Sequence, residues 1–441
     1  MNTGHGITHA ELVRRVKEAG VAGAGGAGFP TWRKLDCAGR VDTVILNGAE
    51  CEPLLFSDLH CMRCYPEAIV GAAARVRQAL GAREVVLAFK HKRRKHLDGL
   101  VAAAAGDPAM RVLELEDVYP SGDEHVLTFL ATGRVPPQGG LPLDVGVLVQ
   151  NVQTAVHIHD AVEGKPVTRR FVTVAGAVAR PFCAEVPLGA RVGDLLERAG
   201  GPTCPEPLVL AGGVMMGRPV EVGDGVARTT SGIVVLPPGN PVAQELRTPL
   251  DREVRVSASV CDQCYACTEL CPRRLLGHAI EPHKLMRRAG KVLSAPGEED
   301  HIALYCCECG VCSLVACPVR ITPRRLIAAM KPVVPREYLR KQAGTPHPDH
   351  ARKALPMPWL KMRLALERFD VEPEFLGPLN DVPRLSLDLA EFGGGRAQPR
   401  VGPGDLVLPG DRVAEGKWLD VHAPLAGTVE AIDGKVDIRV L

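Results

Sequence analysis

Residues 261–272 read CDQCYACTELCP, and residues 306–318 read CCECGVCSLVACP. The first run sets Cys261, Cys264, Cys267 and Cys271 in the pattern C-x2-C-x2-C-x3-C, closed by Pro272. Three thiolates at that spacing on a turning backbone grip three irons of one [4Fe–4S] cube. The fourth cysteine, redirected by proline, serves a second cube. The second run repeats the pattern with Cys306, Cys309, Cys312 and Cys317, but its last gap is four residues rather than three. One extra residue must be absorbed before the crossing cysteine. The expected ligand sets are therefore Cys261, Cys264, Cys267 and Cys317 for one cube, and Cys306, Cys309, Cys312 and Cys271 for the other. Cys307 is a spare thiol, since using it in place of Cys306 would leave a cramped C-x-C step. The competing reading is structural zinc, which also uses C-x2-C pairs. Zinc sites rarely take three cysteines at successive two-residue gaps, or end both runs in Cys-Pro.

The rest of the chain sets the context. It has 441 residues, enough for about three domains, and 46% of them are hydrophobic. A net charge of +2 gives no reason to expect a nucleic-acid partner. No apolar run reaches the roughly 18–20 residues of a membrane span, and the first residues lack a signal-peptide core, so a cytoplasmic location is expected. Nine of the fifteen cysteines lie between Cys261 and Cys317, which argues for clusters and against a disulfide framework. Cys37, Cys51, Cys61 and Cys64 lie outside the cassette. They read as buried, inert thiols, with a further metal site as the competing reading.

A cluster cassette passes single electrons and needs a source. Residues 20–35, GVAGAGGAGFPTWRKL, contain Gly23, Gly25, Gly26 and Gly28. The fit to G-x-G-x-x-G is weak evidence, because a helix-like segment precedes it and Phe29-Pro30 interrupts any helix after it. Glycines still let backbone N–H groups approach a phosphate or a flat ring, with Lys34 near enough to neutralise charge. A glycine-rich surface turn is the alternative. Val41–Leu46 reads as a buried strand ending in Asn47, Glu50 and Glu52. The segment YPSGDE supplies Tyr119, Gly122 and Glu124, and a further strand ends in Gln150, Asn151 and Thr154. Polar residues clustered at strand ends suggest one cofactor pocket built from distant segments.

Together, GAGGAGFPTWRKL, NGAECEP, YPSGDE and VQNVQTA resemble the electron-input module of RnfC-type proteins. That module is similar to the flavin- and NADH-binding subunit of respiratory complex I. Within the group the chain is most similar to the cobalamin reductases of propanediol utilisation, over nearly its whole length. The resemblance implies FMN on Gly23–Gly28 with Lys34, Asn47, Glu50 and Asn151 around it. It places Glu52 and the Tyr119–Glu124 loop on the nicotinamide side, with NADH as donor and two [4Fe–4S] clusters as relays. It also implies cobalamin or a corrinoid adenosyltransferase as partner, other electron-transfer proteins as further candidates, and a place inside a bacterial microcompartment. Two alternatives stay open: a peripheral input subunit of a membrane electron-transport complex, and a ferredoxin-type relay without a nicotinamide site. No side-chain nucleophile is needed, so no catalytic triad is expected.

The expected organisation is an α/β flavin/NADH-binding domain over 1–165 and an SLBB-type β-grasp domain over 166–250. A bacterial two-[4Fe–4S] ferredoxin-like domain follows over 251–330, then a helical connector over 331–395. The tail, 396–441, alternates short strands with Gly-containing turns and resembles a barrel-sandwich hybrid. Lys417 precedes Trp418 in a context unlike a carrier lysine, so lipoylation is not expected.

Overall fold

The structure is a computed structural model that describes residues 7–390 and 392–441. Four apolar runs become the strands Thr43–Gly48, Glu84–Lys90, Met110–Leu115 and Val147–Asn151. They pair in parallel, with Thr43–Gly48 between Glu84–Lys90 and Val147–Asn151, and Met110–Leu115 outermost. Three of the runs are nearly all apolar because both faces are covered, whereas the outermost, Met110–Leu115, carries exposed Arg111 and Glu114. Ile45, Val86, Val147 and Val149 pack with Leu127 and Ala131 of helix Glu124–Thr132. Val44, Leu46, Val85, Leu87 and Leu148 pack on the other face with Leu12, Ile69, Val76 and Ile158, from three helices.

The strand order has a consequence. The chain enters at Thr43–Gly48, builds two strands to one side, then returns to place Val147–Asn151 on the other. The direction of winding reverses between these two neighbours, and ligands of open α/β sheets collect at the carboxyl ends beside such a switch. Asn47 and Asn151 sit opposite each other there, as do Leu46 and Gln150.

The strands Arg169–Gly176, Phe182–Pro187, Leu208–Ala211 and Gly232–Leu236, with helix Val192–Arg198, form the expected β-grasp unit. Its sheet has one strand that the sequence reading missed. Glu374–Pro378 pairs in parallel with Phe182–Pro187. The stretch expected as a helical connector therefore holds one α-helix, Met357–Arg363, but also the strands Leu355–Pro356, Glu374–Pro378 and Arg384–Asp388. Arg384–Asp388 pairs with Lys435–Val440, so the C-terminal β unit begins well before residue 396. Its alternation, with Leu385 and Leu387 buried, spans only five residues among prolines and charges, too short to stand out. The C-terminal unit itself is two small sheets of short strands. The cassette has its own core, in which Leu285, Met286, Val292, Ile321, Leu326 and Ile327 pack beside Cys261 and Cys317. No helix among the described residues is long and apolar enough to cross a membrane.

Candidate functional site

Helix His9–Glu18 ends and the chain turns into the glycine loop, so no strand precedes it. The loop is pinned at its base, where Gly23 N donates to Phe29 O at 2.9 Å and Ala22 bridges Pro30. Its apex, Gly25 and Gly26, is exposed. Gly26 has φ +110° and Gly28 +65°, conformations that cost a side-chain-bearing residue dearly. A Cβ on Gly25 would stand 3.6 Å from Asn151 Cβ, so the loop lies directly over the strand end. Ala24 N donates to Thr154 Oγ1 at 2.9 Å. Asn151 caps helix Val152–Val162, accepting from Gln153 N at 2.9 Å, and donates to Asp58 Oδ2 at 2.9 Å. Asn47 Nδ2 donates to Gly122 O at 3.0 Å. Lys34 Nζ meets Glu124 Oε1 at 2.7 Å. These contacts bring the glycine loop, Lys34, Asn47, Gly122, Glu124, Asn151 and Thr154 together at the carboxyl ends of the two central strands. Gln150 is buried at the same strand end, and its Oε1 has no hydrogen-bond partner.

Three expected site residues have their polar groups engaged within the protein. Glu50, at φ +31°, turns back to cap helix Ser57–Cys64, accepting from Ser57 Oγ at 2.9 Å and Asp58 N at 2.8 Å. Burial, reinforced by the negative charge of Asp58, pushes its carboxyl up to about 7. Glu52 accepts from Met215 N at 2.8 Å and Met216 N at 2.9 Å, so both oxygens hold the β-grasp unit. Burial raises it to about 7 despite those amides. Tyr119 is buried, and its hydroxyl donates to Cys309 O at 2.6 Å. A backbone acceptor in the cassette takes the group that the resemblance put on the nicotinamide side.

The cassette explains its own spacing. In the first run Gln263 and Tyr265 have φ of +58° and +67°. In the second, Glu308 and Gly310 have +60° and +82°. The two loops therefore correspond residue for residue, with Cys306 matching Cys261, Cys309 matching Cys264 and Cys312 matching Cys267. Cys307 then matches Asp262. Around Cys312 the segment Val311–Ala316 winds as a π-helix. A π turn holds more residues than an α turn, so it takes up the extra residue of the four-residue gap. The thiols fall into two groups. Burial chiefly raises both Cys267 and Cys312; the neighbouring thiols that add to it are Cys317, Cys261 and Cys264 for the first, and Cys306, Cys271 and then Cys267 for the second. Backbone N–H groups point at the sulfurs: Ile321, Val319 and Arg320 at Cys317, and Glu308 N at Cys306, 3.3 Å away. Such donors favour thiolates and tune cluster potentials. Cys37 and Cys61 are buried free thiols, and Cys64 is an exposed one. Among the described residues no three His, Cys, Asp or Glu side chains converge on a single-ion site.

Other residues matter that sequence reasoning did not select. Asp123 pairs with Arg273, the second residue after Cys271, at 2.8 Å. Asp58 ties Asn151 to Gln153, which donates at 2.8 Å. Arg170, almost fully buried, reaches from the β-grasp unit to Ala24 O beneath the glycine loop, at 3.5 Å. Each partner is distant in sequence, so no local pattern marks it.

Residues 16–160 match the family model of the Nuo51 FMN-binding domain, 171–219 the SLBB domain and 260–322 a 4Fe-4S dicluster domain. Over 430 residues the chain is 38% identical to "Cobalamin reductase PduS" of Salmonella typhimurium, covering 96% of this chain and 94% of that protein. The chain belongs to the PduS family. The Citrobacter freundii PduS is 36% identical over 433 residues, 97% of this chain and 95% of that one. A component of the ion-translocating oxidoreductase complex of Cronobacter sakazakii is 35% identical over 269 residues, 60% of this chain and 33% of that protein. An NAD+-reducing [NiFe]-hydrogenase chain aligns with TM-score 0.46 at 20% identity, over 76% of this chain and 64% of that one. The expected combination of flavin, β-grasp and iron–sulfur domains is present, and the protein is an oxidoreductase built for electron transfer.

Proposed function

We propose that this chain takes electrons from NADH through FMN and two [4Fe–4S] clusters and delivers them to cobalamin. The loop 119–124 carries this reading. Its Gly122 carbonyl and Glu124 carboxylate belong to the cleft wall, while its Tyr119 and Asp123 grip Cys309 O and Arg273 of the cassette. One short segment thus joins the cleft to the thiols. FMN, when bound, exchanges electron pairs with NADH and single electrons with clusters. The glycine-loop N–H groups and Lys34 suit its phosphate, and the orphaned Gln150 carboxamide with Asn47 and Asn151 suits a polar ring edge. The eight cysteines in two groups suit two cubes.

Cobalamin as acceptor rests on the names of the full-length relatives. The likeness to the ion-translocating complex spans less of the chain. A corrinoid adenosyltransferase as consumer, and a cytoplasmic or microcompartment location, belong to the same proposal and rest on the family resemblance. Anaerobic purification with iron, sulfide and flavin assays tests it, followed by NADH oxidation with cob(III)alamin and cob(II)alamin present. The expected result is NADH-dependent cobalamin reduction that requires both flavin and iron. Zinc in place of iron would end the reading.

A further inference from the structure

The two loops of the cassette share a backbone but not their surroundings. Cys309 is buried, with the Tyr119 hydroxyl on its carbonyl, and a Cβ on the adjacent Gly310 would lie 3.3 Å from Met215 O. The flavin and β-grasp units both cover this loop. Its counterpart, Cys264, is exposed. Beside it Tyr265 is 54% exposed, Val260 44% and Val319 38%. Tyr265 is held there by contact with the His283 ring, 4.3 Å away.

Two exposed arginines flank this apolar corner. Arg287 Nε donates to Cys261 O at 2.9 Å. Arg320 follows Val319, and its backbone N–H points at the Cys317 sulfur. Among the described residues neither side chain has a carboxylate partner. Asp262, the acid in the loop, is also exposed, and one of its carboxylate oxygens accepts from Cys264 N at 3.2 Å. The corner is an apolar centre whose rim carries two arginines against one aspartate, a net basic composition suited to a small electron-transfer interface.

We propose that electrons leave the chain at this corner, and that it docks a one-electron-accepting protein through an acidic surface of that partner. The proposal rests on the reading that the cassette holds two cubes and that the flavin cleft is the input. The group Cys271, Cys306, Cys309 and Cys312 is then proximal to the flavin, and Cys261, Cys264, Cys267 and Cys317 distal. A cluster held by Cys261, Cys264, Cys267 and Cys317 would give up one electron at the corner, and the partner's acceptor would gain it. No bond forms and no proton moves. The basic rim steers the acidic partner and orients it.

Cytochrome b5, which is acidic, and cytochrome c, which is basic, serve as probes. Each is mixed anaerobically with NADH-reduced, cofactor-loaded protein at several salt concentrations. Haem reduction is followed, and hydrogen exchange maps the surface protected by oxidised cytochrome b5. The expected result is faster reduction of cytochrome b5 at low salt, with protection over residues 258–265 and 317–321. Arg320→Glu should slow cytochrome b5 by about tenfold or more and leave cytochrome c as fast or faster. Arg287→Gln should act in the same direction by a smaller factor. Iron content and NADH-driven bleaching are measured in each variant, and both cytochrome rates are compared per loaded, bleachable protein. Equal rates for the two probes, equal slowing of both in Arg320→Glu, or protection elsewhere would overturn the proposal. Self-association through this corner in place of cytochrome binding would overturn it too. Unloaded or NADH-inert wild-type protein would instead count against the electron-input reading itself.

Discussion

Replacing Tyr119 by phenylalanine removes one oxygen from the joint between the flavin domain and the cassette. The ring stays buried in the core that also holds Leu210, Val214, Met215, Cys309 and Val311. What is lost is the 2.6 Å hydrogen bond to Cys309 O, which leaves a buried carbonyl without that donor. A lost hydrogen bond of this kind costs about 1 kcal/mol net, and an orphaned buried acceptor raises the cost to about 1–3 kcal/mol. For a cooperative unit of roughly 200 residues that is a fall of several degrees in Tm. Thermal unfolding of the cofactor-loaded protein reads the stability. Stopped-flow mixing with NADH reads the lag between flavin and cluster bleaching. Tyr119→Phe should lower Tm and lengthen the lag, with flavin content unchanged. Tyr65→Phe is the control. Its hydroxyl donates to Glu185 at 2.9 Å, away from the cassette, so it should lower Tm without altering the lag. If Tyr119→Phe matched the wild type in both measurements, the joint would carry no weight in coupling cleft to cassette.

Glu52→Gln should leave one of the Met215 and Met216 amides without an acceptor, costing about 1–3 kcal/mol, and slow cluster bleaching while NADH affinity holds; a selective loss of NADH affinity would return Glu52 to the nicotinamide side. Cys264→Ala should cut iron from about eight to about four per chain and spare flavin, whereas Cys307→Ala should keep about eight; iron loss in the latter would exchange Cys307 for Cys306 as ligand. Lys34→Met should weaken FMN retention at least several-fold, measured by flavin release on dilution, because the phosphate loses its cation; full retention would move the phosphate away from the glycine loop. Burial holds His60, His157 and His422 near 4 and His125 near 3. The unfolded chain therefore binds more protons between about pH 4 and 6.5, and stability falls as pH drops through that window. Glu50 and Glu52, raised to about 7, and Asp58, Asp160, Asp194 and Glu245, also raised by burial, act in the opposite sense. His278, His283 and His350, lowered by burial, act with the first four histidines, so seven imidazoles stand against six carboxyls. Tm should drop between pH 7 and pH 5, and a rise would reverse the balance.

What the sequence disclosed was local. Ligand spacing is set by one turn of backbone, so the two cysteine runs announced their pairing, and the left-handed residues at 263, 265, 308 and 310 realise it. The buried strands Thr43–Gly48 and Val147–Asn151 are largely apolar up to their ends, where Asn47 and Asn151 stand side by side. What stayed hidden depended on partners far along the chain. Tyr119 meets Cys309 across 190 positions and Glu52 meets Met215 across 163. Neighbours in sequence cannot tell a cleft-facing tyrosine from one facing an adjoining domain. The edge strand Glu374–Pro378 alternates between exposed and half-buried residues, so it carried little hydrophobic signal. The four-residue gap before Cys317 was visible, but the π turn that absorbs it was not.

The most direct test is an anaerobic NADH titration of fully loaded protein, with flavin followed by absorbance and the clusters by electron paramagnetic resonance. Both flavin and cluster signals should respond to NADH, and the same titration of Cys264→Ala protein should keep the flavin response with one cluster signal gone. A flavin that bleaches while both clusters stay oxidised, or a spectrum that ignores NADH, would contradict a single chain turning paired electrons into single ones.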